Sequence, residues 1–265
     1  MLVEINRNYS DVAHEFGASH IIGTFLYGSQ NYNLSTVTSD VDTRTLIIPS
    51  FNDIVLSNKE VAIEKCLSDG SHSNIEDIRH FVRALRKQNI CFLEILFTDY
   101  FKINPQYKSI WDKLVEHREE IARMSPDRFV YAIMGMSAQQ YAKVRHSSLT
   151  NKVNKLGYNG KALAMLLRLE YVLERYIAGL PFRDCLVVDT HTQDRILTYK
   201  TTETIPLATA VRESDRAYRN IESIYNNLFK LSDAQLENKD IMSFINFVVG
   251  EFIQSSLLKE IAFIT

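Results

Sequence analysis

The chain has 265 residues and a formal net charge of −2, with 46% hydrophobic and 23% charged residues. These values are typical of a soluble globular protein with one large or two modest domains, and they exclude a disordered chain or one that is basic throughout. Cys66, Cys91 and Cys185 show no metal-binding or redox spacing, which favours reduced thiols and a cytoplasmic location.

Neither end of the sequence predicts a targeting or membrane segment. Residues 1–16 contain acidic side chains and no apolar core, unlike a signal peptide. Residues 241–264 are strongly apolar, but Glu251 and Lys259 interrupt them. We therefore expect a buried helix there and no association with a membrane. No pattern indicates the oligomeric state.

The first elements predict two apolar strands that enclose a polar loop. A short helix over residues 9–17 leads into a first strand over 21–27, and a second strand covers 40–48. Pro49 closes the second strand because proline donates no ladder hydrogen bond. Residues 30–34, between the strands, predict a short helix or turn.

A helix and a third strand are predicted next. Residues 73–76 read Ser-Asn-Ile-Glu, a capping-box form that predicts a helix ending near Asn89. The apolar run over 90–97 predicts the third strand, with Glu94 set among apolar side chains. Residues 55–66 are a strand or a loop.

From residue 103 onward the hydrophobic period becomes helical. We expect helices over 107–123, 126–146, 160–178, 207–229 and 238–262. Residues 184–200 are too polar and too rich in threonine to predict a regular element. The sequence thus predicts an α+β protein, with a small mixed sheet and flanking helices in residues 1–104 and an all-helical domain in 105–265.

The strongest candidate site combines Asp40 and Asp42 with Gly28 and Ser29. Side chains two apart on a strand share a face, so Asp40 and Asp42 would project together and favour a divalent cation between them. The Gly28-Ser29 turn offers N–H groups and a hydroxyl to a phosphate. Each pair alone is ordinary loop or turn chemistry, whereas together they predict a phosphoryl- or nucleotidyl-transfer centre.

A third carboxylate would complete this centre, and Glu94 is our first candidate. A carboxylate in an apolar strand is costly unless it is paired or bound to metal. We expect Glu94 to hold a metal and to accept a proton. The alternatives are an ion pair between Glu94 and Arg83 or Arg86, and a third ligand at the helix start, at Glu76 or Asp77.

Two cations of the helical region are candidates for binding a triphosphate. Lys161 and Arg168 are seven residues apart, two turns of one helix, and therefore lie on one face. We expect both to contact the substrate. A solvated charged face is the alternative.

Three blocks of the sequence carry a family resemblance. They read LYGSQNYNL followed by SDVDTR, IRHFVRALRKQNICFLEILF, and GYNGKALAMLLRLEYVLERYIAG. Together they resemble the nucleotidyltransferases of the DNA polymerase beta superfamily, and in detail the RlaP-like predicted nucleotidyltransferases of an RNA-repair pathway. Met165 stands where we expect a histidine in that family, so any role of that histidine does not carry over.

The resemblance implies transfer of a nucleoside monophosphate from an NTP to a hydroxyl acceptor. In this chain it implies that Gly28 and Ser29 bind the triphosphate and that Asp40 and Asp42 hold two Mg²⁺ ions, with Mn²⁺ as a substitute. The family name favours an RNA end or a tRNA as acceptor. A protein or small-molecule acceptor stays open.

Two other classes of function stay open. An NTP-binding regulatory or antitoxin-like module could keep the same fold with little turnover. A helical interaction protein, in which the Asp40 and Asp42 pair has no role, is the second.

Overall fold

The structure is a computed structural model that describes residues 1–37, 39–67, 71–145, 157–201, 205–229 and 238–262. It divides into two compact units. The first comprises Met1–Asn31, Ser35–Met124 and Glu237–Thr265, and the second comprises Tyr32–Leu34 and Ser125–Leu236. The predicted α+β class with a small mixed sheet is confirmed.

Among the described residues, five strands form one sheet in the order β3-β4-β2-β1-β5. The strands are β1 (Ile21–Leu26), β2 (Thr43–Ile47), β3 (Ala62–Cys66), β4 (His72–Asp77) and β5 (Phe101–Ile103). β2 and β4 are parallel and the other neighbours are antiparallel. The end of β1 and the starts of β2 and β4 therefore lie at the same end of the sheet.

Helix α1 (Leu2–Phe16) covers one face of this sheet, which we call the α1 face. Val12 packs there against Ile21, Ile47 and Ile75, all at most 4% exposed. The α1 face also holds a buried chain of polar groups. Thr24, Thr45 and Ser73 join their hydroxyls at 2.8 and 3.1 Å, and Asn8 Nδ2 donates to Thr43 Oγ1 at 3.0 Å.

The opposite face of the sheet carries aromatic and charged residues, and we call it the charged face. Five short helices of the first unit follow in chain order, namely α2 (Phe51–Val55), α3 (Ile78–Arg86), α4 (Ile90–Leu93), α5 (Lys108–Glu116) and α6 (Arg118–Ala122). The apolar part of the charged face is closed by Phe25 and Phe81, whose ring centroids lie 4.4 and 6.2 Å from that of Trp111.

The described part of the second unit is helical. Its helices are α7 (Pro126–Arg145), α8 (Gly160–Ile177), α9 (Phe182–Leu186), α10 (Thr190–Thr201) and α11 (Leu207–Phe229). Its core includes Phe129 stacked on Tyr176 with centroids 4.0 Å apart. The predictions of α7, α8 and α11 are confirmed, although residue 146 lies outside the described residues.

The prediction of irregular structure over 184–200 is wrong, because this segment contains parts of two helices, α9 and α10. Asp189 Oδ1 accepts from the backbone N–H of Thr192 at 2.9 Å, which supplies the cap that starts α10. Capping therefore outweighs the polar, threonine-rich composition of this segment.

The last helix, α12 (Lys239–Ala262), belongs to the first unit. Phe252 contacts Tyr107 with ring centroids 5.9 Å apart, and Lys113 Nζ lies 2.6 Å from Glu251 Oε1. The compact units consequently do not divide at residues 104 and 105 as predicted. By length and composition alone, α12 is long and apolar enough to cross a membrane, and 39% of its most apolar stretch is buried in this structure.

Two predicted elements of the first unit are wrong. Residues 72–77 are the strand β4, and the helix begins only at Ile78, where the Asp77 side chain caps the N–H of Arg79 at 2.8 Å. Residues 90–97 form α4 and a 3₁₀ turn rather than a third strand, because Asn89 caps the N–H of Cys91 at 3.0 Å. When every side chain of an apolar segment is buried, its hydrophobic pattern has no period that distinguishes a helix from a strand.

Candidate active site

Gly28 forms the turn that follows β1. Its φ of +84° lies in the left-handed region, and a Cβ built on it would lie 3.2 Å from Asp42 Oδ2. The Tyr27 N–H donates to the Asp42 carbonyl oxygen at 3.1 Å. A side chain at residue 28 would therefore be strained and would crowd the carboxylate. Ser29 begins the 3₁₀ turn Ser29–Tyr32 that follows.

Asp40 and Asp42 lie in the loop that precedes β2. The predicted strand over 40–48 begins only at Thr43, so the argument that both carboxylates share a strand face is wrong. Asp40 is exposed and Asp42 is half-buried. The chain before them is held by Ser39, whose Oγ accepts from the N–H of Thr36 at 2.8 Å. The loop that carries both aspartates nevertheless leads into the start of β2, which lies at the same end of the sheet as Gly28.

The charged face begins directly beside this loop. Arg44 is 5% exposed, and its guanidinium carbon lies 3.8 Å from the Phe92 ring centroid and 4.9 Å from that of Tyr27. Its Nη1 donates to the carbonyl oxygen of Cys91. Asn74, which pairs with Arg44 across β2 and β4, donates from its amide to the Tyr27 hydroxyl.

Glu94 lies in the 3₁₀ turn after α4 and is 1% exposed. Burial raises the pKa of the Tyr27 hydroxyl most, and the charges of Asp42 and Glu94 raise it further. The charge of Arg44 lowers it, and the resulting pKa is about 12. The two carboxylates thus act on one hydroxyl, which stays protonated at neutral pH. Of the candidate arginine partners, Arg83 forms an ion pair with Glu60, and Arg86 Nη2 donates to Asn246 Oδ1 at 2.7 Å.

Glu76, the alternative third carboxylate, lies deeper on the charged face. It is on β4 rather than at a helix start, and its Oε1 is 4.0 Å from Arg44 Nε. Burial raises the pKa of Glu76, and the charges of Arg44 and His80 oppose that shift. The other alternative, Asp77, accepts one hydrogen bond from the backbone N–H of Arg79, which caps α3, and three from the Arg79 guanidinium, so protein groups already engage both of its oxygens.

The acidic loop has the chemistry that Mg²⁺ requires. Mg²⁺ in proteins takes oxygen ligands, commonly one or two carboxylates completed by water and substrate phosphates. Asp40 and Asp42 supply carboxylates in contact with solvent, and the bare Cα of Gly28 leaves space beside Asp42. Within the described part of the chain, no three His, Cys, Asp or Glu side chains form a group that could hold a metal ion. Glu94 is therefore not brought to the aspartates as a third ligand in this structure.

In the second unit, Lys161 and Arg168 do not share a solvated face. Lys161 is exposed, whereas Arg168 is 1% exposed and its guanidinium carbon lies 3.3 Å from the Tyr32 ring centroid. The cation that interacts electrostatically with Lys161 is Lys200. Burial, and then the charge of Lys161, lower the pKa of Lys200, whose Nζ donates to the Leu34 carbonyl oxygen at 2.8 Å.

Comparison with known proteins finds similarity in structure alone. A nucleotidyltransferase-like protein from Exiguobacterium sibiricum 255-15 is similar. It has 12% sequence identity and a TM-score of 0.38, over 97% of this chain and 91% of that chain. No protein-family model matches the sequence, and no curated protein matches it. This level of similarity assigns no family, so the RlaP-like resemblance remains a proposal.

Sequence reasoning missed Tyr27, Arg44, Asn74 and Lys200. Arg44 and Tyr27 carry a usable signal, since each lies within two residues of a motif residue. Asn74 could not be recognised, because the capping-box interpretation placed it on a helix. Lys200 lies in the segment that was predicted to be irregular.

Proposed function

We propose that this protein is a Mg²⁺-dependent nucleotidyltransferase that transfers a nucleoside monophosphate from an NTP to a hydroxyl acceptor, an RNA end. The observation that supports it most is the Gly28 turn beside Asp42. It combines a left-handed backbone position that favours glycine, a turn of a type that suits phosphate, and a carboxylate loop at the same end of the sheet. The resemblance of the three sequence blocks to the DNA polymerase beta superfamily, and to its RNA-repair branch, also supports this proposal.

The proposed roles follow from position. The Gly28-Ser29 turn binds the triphosphate, and Asp40 and Asp42 hold Mg²⁺, which when bound neutralises phosphate charge. The acceptor oxygen bonds to the α-phosphorus as the bond to the pyrophosphate oxygen breaks, and pyrophosphate leaves. The acceptor's proton passes to a carboxylate, for which we propose Glu94. From the sequence alone, we keep the proposal that Lys161 binds the triphosphate.

For Arg168 we propose a structural role in place of the substrate contact that the sequence suggested. Because Arg168 is buried against Tyr32, we propose that it fixes the Tyr32–Leu34 segment within the second unit. Lys161 and Lys200 are the cations with chemistry suited to a phosphate. Calorimetry with an Mg²⁺–NTP complex should show weaker binding for Lys161→Ala than for the natural chain.

Incubation with each α-labelled NTP, Mg²⁺ and three acceptor classes tests the reaction. The acceptors are RNA with a 3′ hydroxyl, tRNA, and protein, including the chain itself. We expect label on RNA, and Asp42→Asn should reduce transfer by at least ~10²-fold with an unchanged melting temperature. Asp112→Asn, which removes an exposed carboxylate paired with Lys108 on α5, is the matched control. Equal transfer by Asp42→Asn contradicts the mechanism, and label on protein alone redirects it to protein modification.

The same assay tests Glu94. Glu94→Gln should lower the turnover number by about 10²-fold while NTP affinity is unchanged, as expected for loss of a proton acceptor. A variant that keeps full turnover but melts earlier shows that Glu94 serves the fold alone.

One observation favours a second function, an NTP-binding regulatory module with little turnover. No three-carboxylate group forms in the described part of the chain. Mg²⁺-dependent NTP binding without transfer to any acceptor class would select this function.

A further inference from the structure

Strand β3 lies at one edge of the sheet. In the described part of the chain it has a strand neighbour, β4, on one side only. The strand at the other edge, β5, has three residues, whereas β3 has five. A very short edge strand is one of the usual protections against pairing with another chain. Of the two edges, β3 is therefore the better suited to pair with a further strand.

The hydrogen bonds between β3 and β4 show which backbone groups of β3 point outward. The Asp77 N–H donates to the Val61 carbonyl oxygen at 2.8 Å. At the other end of the ladder, the Leu67 N–H donates to the Ser71 carbonyl oxygen, also at 2.8 Å. Hydrogen-bonded and non-hydrogen-bonded pairs alternate along an antiparallel ladder, so the odd-numbered residues of β3 direct their backbone groups to β4. The N–H and C=O groups of residues 62, 64 and 66 consequently point away from the sheet.

The side chains along this edge are accessible. Ile63 is 46% exposed, and it lies on the α1 face because it pairs with Ile75. Ala62 and Glu64, on the charged face, are exposed. A groove of about 710 Å³ adjoins the edge and is lined by residues 58–63, Phe16, His80 and Arg83. The edge thus offers outward backbone groups, an apolar side chain and a groove together.

A second copy of β3 fits this edge best in one antiparallel register. Two identical antiparallel strands related by a two-fold axis place one residue opposite itself. Centring the pair on Glu64 or on Lys65 would set like charges directly opposite each other, which is destabilising. Centring it on Ile63 sets the two isoleucines opposite each other, with Glu64 opposite Ala62 and Lys65 opposite Val61. The outward residues 62 and 64 then face each other and exchange backbone hydrogen bonds.

The registers centred on the ends of β3 are less favourable. Centring on Ala62 would set Glu64 opposite Glu60, again a pair of like charges. Centring on Cys66 would carry the pairing out of the strand, because β3 ends at that residue.

We propose that two copies of this chain associate through their β3 edges, as an antiparallel pair centred on Ile63 that continues the sheet from one copy into the other. The inference does not depend on the proposed function. Glu64 of each copy lies opposite Ala62 of the other, and Ala62 lines the same groove as Arg83, so the carboxylate projects toward a cation. An interface made by one pair of strands is small, and we expect a dimer that dissociates on dilution.

Sedimentation velocity of the full chain over a range of concentrations tests the association. The natural chain should shift from monomer to dimer as its concentration rises. Ile63→Lys sets two ammonium groups opposite each other and should stay monomeric throughout. Leu258→Lys, at another exposed apolar residue on α12, is the matched control and should dimerise like the natural chain. Glu64→Pro removes an N–H that points away from β4, so it should fold and stay monomeric.

Disulfide cross-linking tests the register. In a Cys66→Ser background, Ile63→Cys places two thiols at a directly opposed pair, with Cα atoms about 4.5 Å apart, a separation that a disulfide spans. The matched control is Glu64→Cys in the same background, because its two copies would lie diagonally across the pair, about 7–8 Å apart and beyond that range. Under air oxidation Ile63→Cys should form a covalent dimer and Glu64→Cys should not.

The remaining outcomes overturn the proposal. A natural chain that is monomeric at every concentration would leave the β3 edge to an extended peptide of another protein. Dimers of folded Ile63→Lys and Glu64→Pro would place the contact on another surface, and a covalent dimer of Glu64→Cys alone would exclude the register centred on Ile63. If circular dichroism shows that neither Ile63→Lys nor Glu64→Pro folds, the cross-linking of the two cysteine variants decides.

Discussion

The two faces of the sheet bury polar groups in opposite ways. On the α1 face, Thr24, Thr45 and Ser73 satisfy one another as neutral hydroxyls. On the charged face, Arg44 and Glu76 are buried with Arg44 Nε 4.0 Å from Glu76 Oε1, and the Arg44 guanidinium carbon lies 3.8 Å from the Phe92 ring centroid. Neutral chains of hydrogen bonds stabilise a fold at little electrostatic cost, whereas buried ions are costly and mark positions where a ligand is expected. The comparison favours the charged face as the place to test the proposed function.

The largest expected effect concerns the turn beside that face, because a change there should reduce both stability and nucleotide binding. Gly28→Ala should cost about 1–2 kcal/mol of unfolding free energy for its left-handed backbone, and should also weaken NTP binding because its methyl group meets Asp42. Gly179→Ala is matched to it, with φ of +80° and no atom within 4 Å of the added Cβ. Chemical denaturation should show similar losses for both variants, and calorimetry a loss of affinity for Gly28→Ala alone. Equal affinities would separate the turn from nucleotide binding.

A change on the α1 face should affect stability and spare the reaction. Thr45→Val removes the central hydroxyl of the chain and leaves those of Thr24 and Ser73 buried, which should cost about 1–3 kcal/mol. Thr45→Ser keeps the hydroxyl as a control. Urea denaturation and the transfer assay check the pair. A loss of turnover in folded Thr45→Val would show that the two faces are not independent.

The smallest expected effect is a pH dependence from Glu76. Because burial raises its pKa in the folded protein above 4.5, the folded state binds the proton more tightly than the unfolded state. Stability should therefore fall as pH rises from about 4.5 through the raised pKa, and Glu76→Gln should flatten that fall. Urea midpoints between pH 4.5 and 8 measure it, with the exposed Glu64→Gln as control. Parallel curves for the natural chain and Glu76→Gln contradict the assignment.

Local patterns in the sequence predicted the motif residues better than the elements that carry them. Gly28 and Asp42 were recognised because a turn and a paired acid have short-range signatures. The strand β4 was missed because Ser73 and Glu76 imitate a capping box, and only parallel pairing with β2 makes the segment extended. Glu94 was placed on a strand because its buried surroundings erase periodicity. Tertiary contacts determine the structure of β4 and of the segment around Glu94, and a short stretch of sequence does not reveal those contacts.

Helix α12 follows the second unit in sequence but belongs to the first unit, which affects the order of folding during biosynthesis. Because residues 238–262 complete the packing around Tyr107 and Lys113, the sheet unit lacks a structural element until α12 has been synthesised. Helices α7 to α11, encoded between the two parts, belong to a separate compact unit and can fold first. Emergence of α12 from the ribosome, rather than emergence of the Asp40 and Asp42 loop, then sets the moment at which the candidate active site acquires its final support.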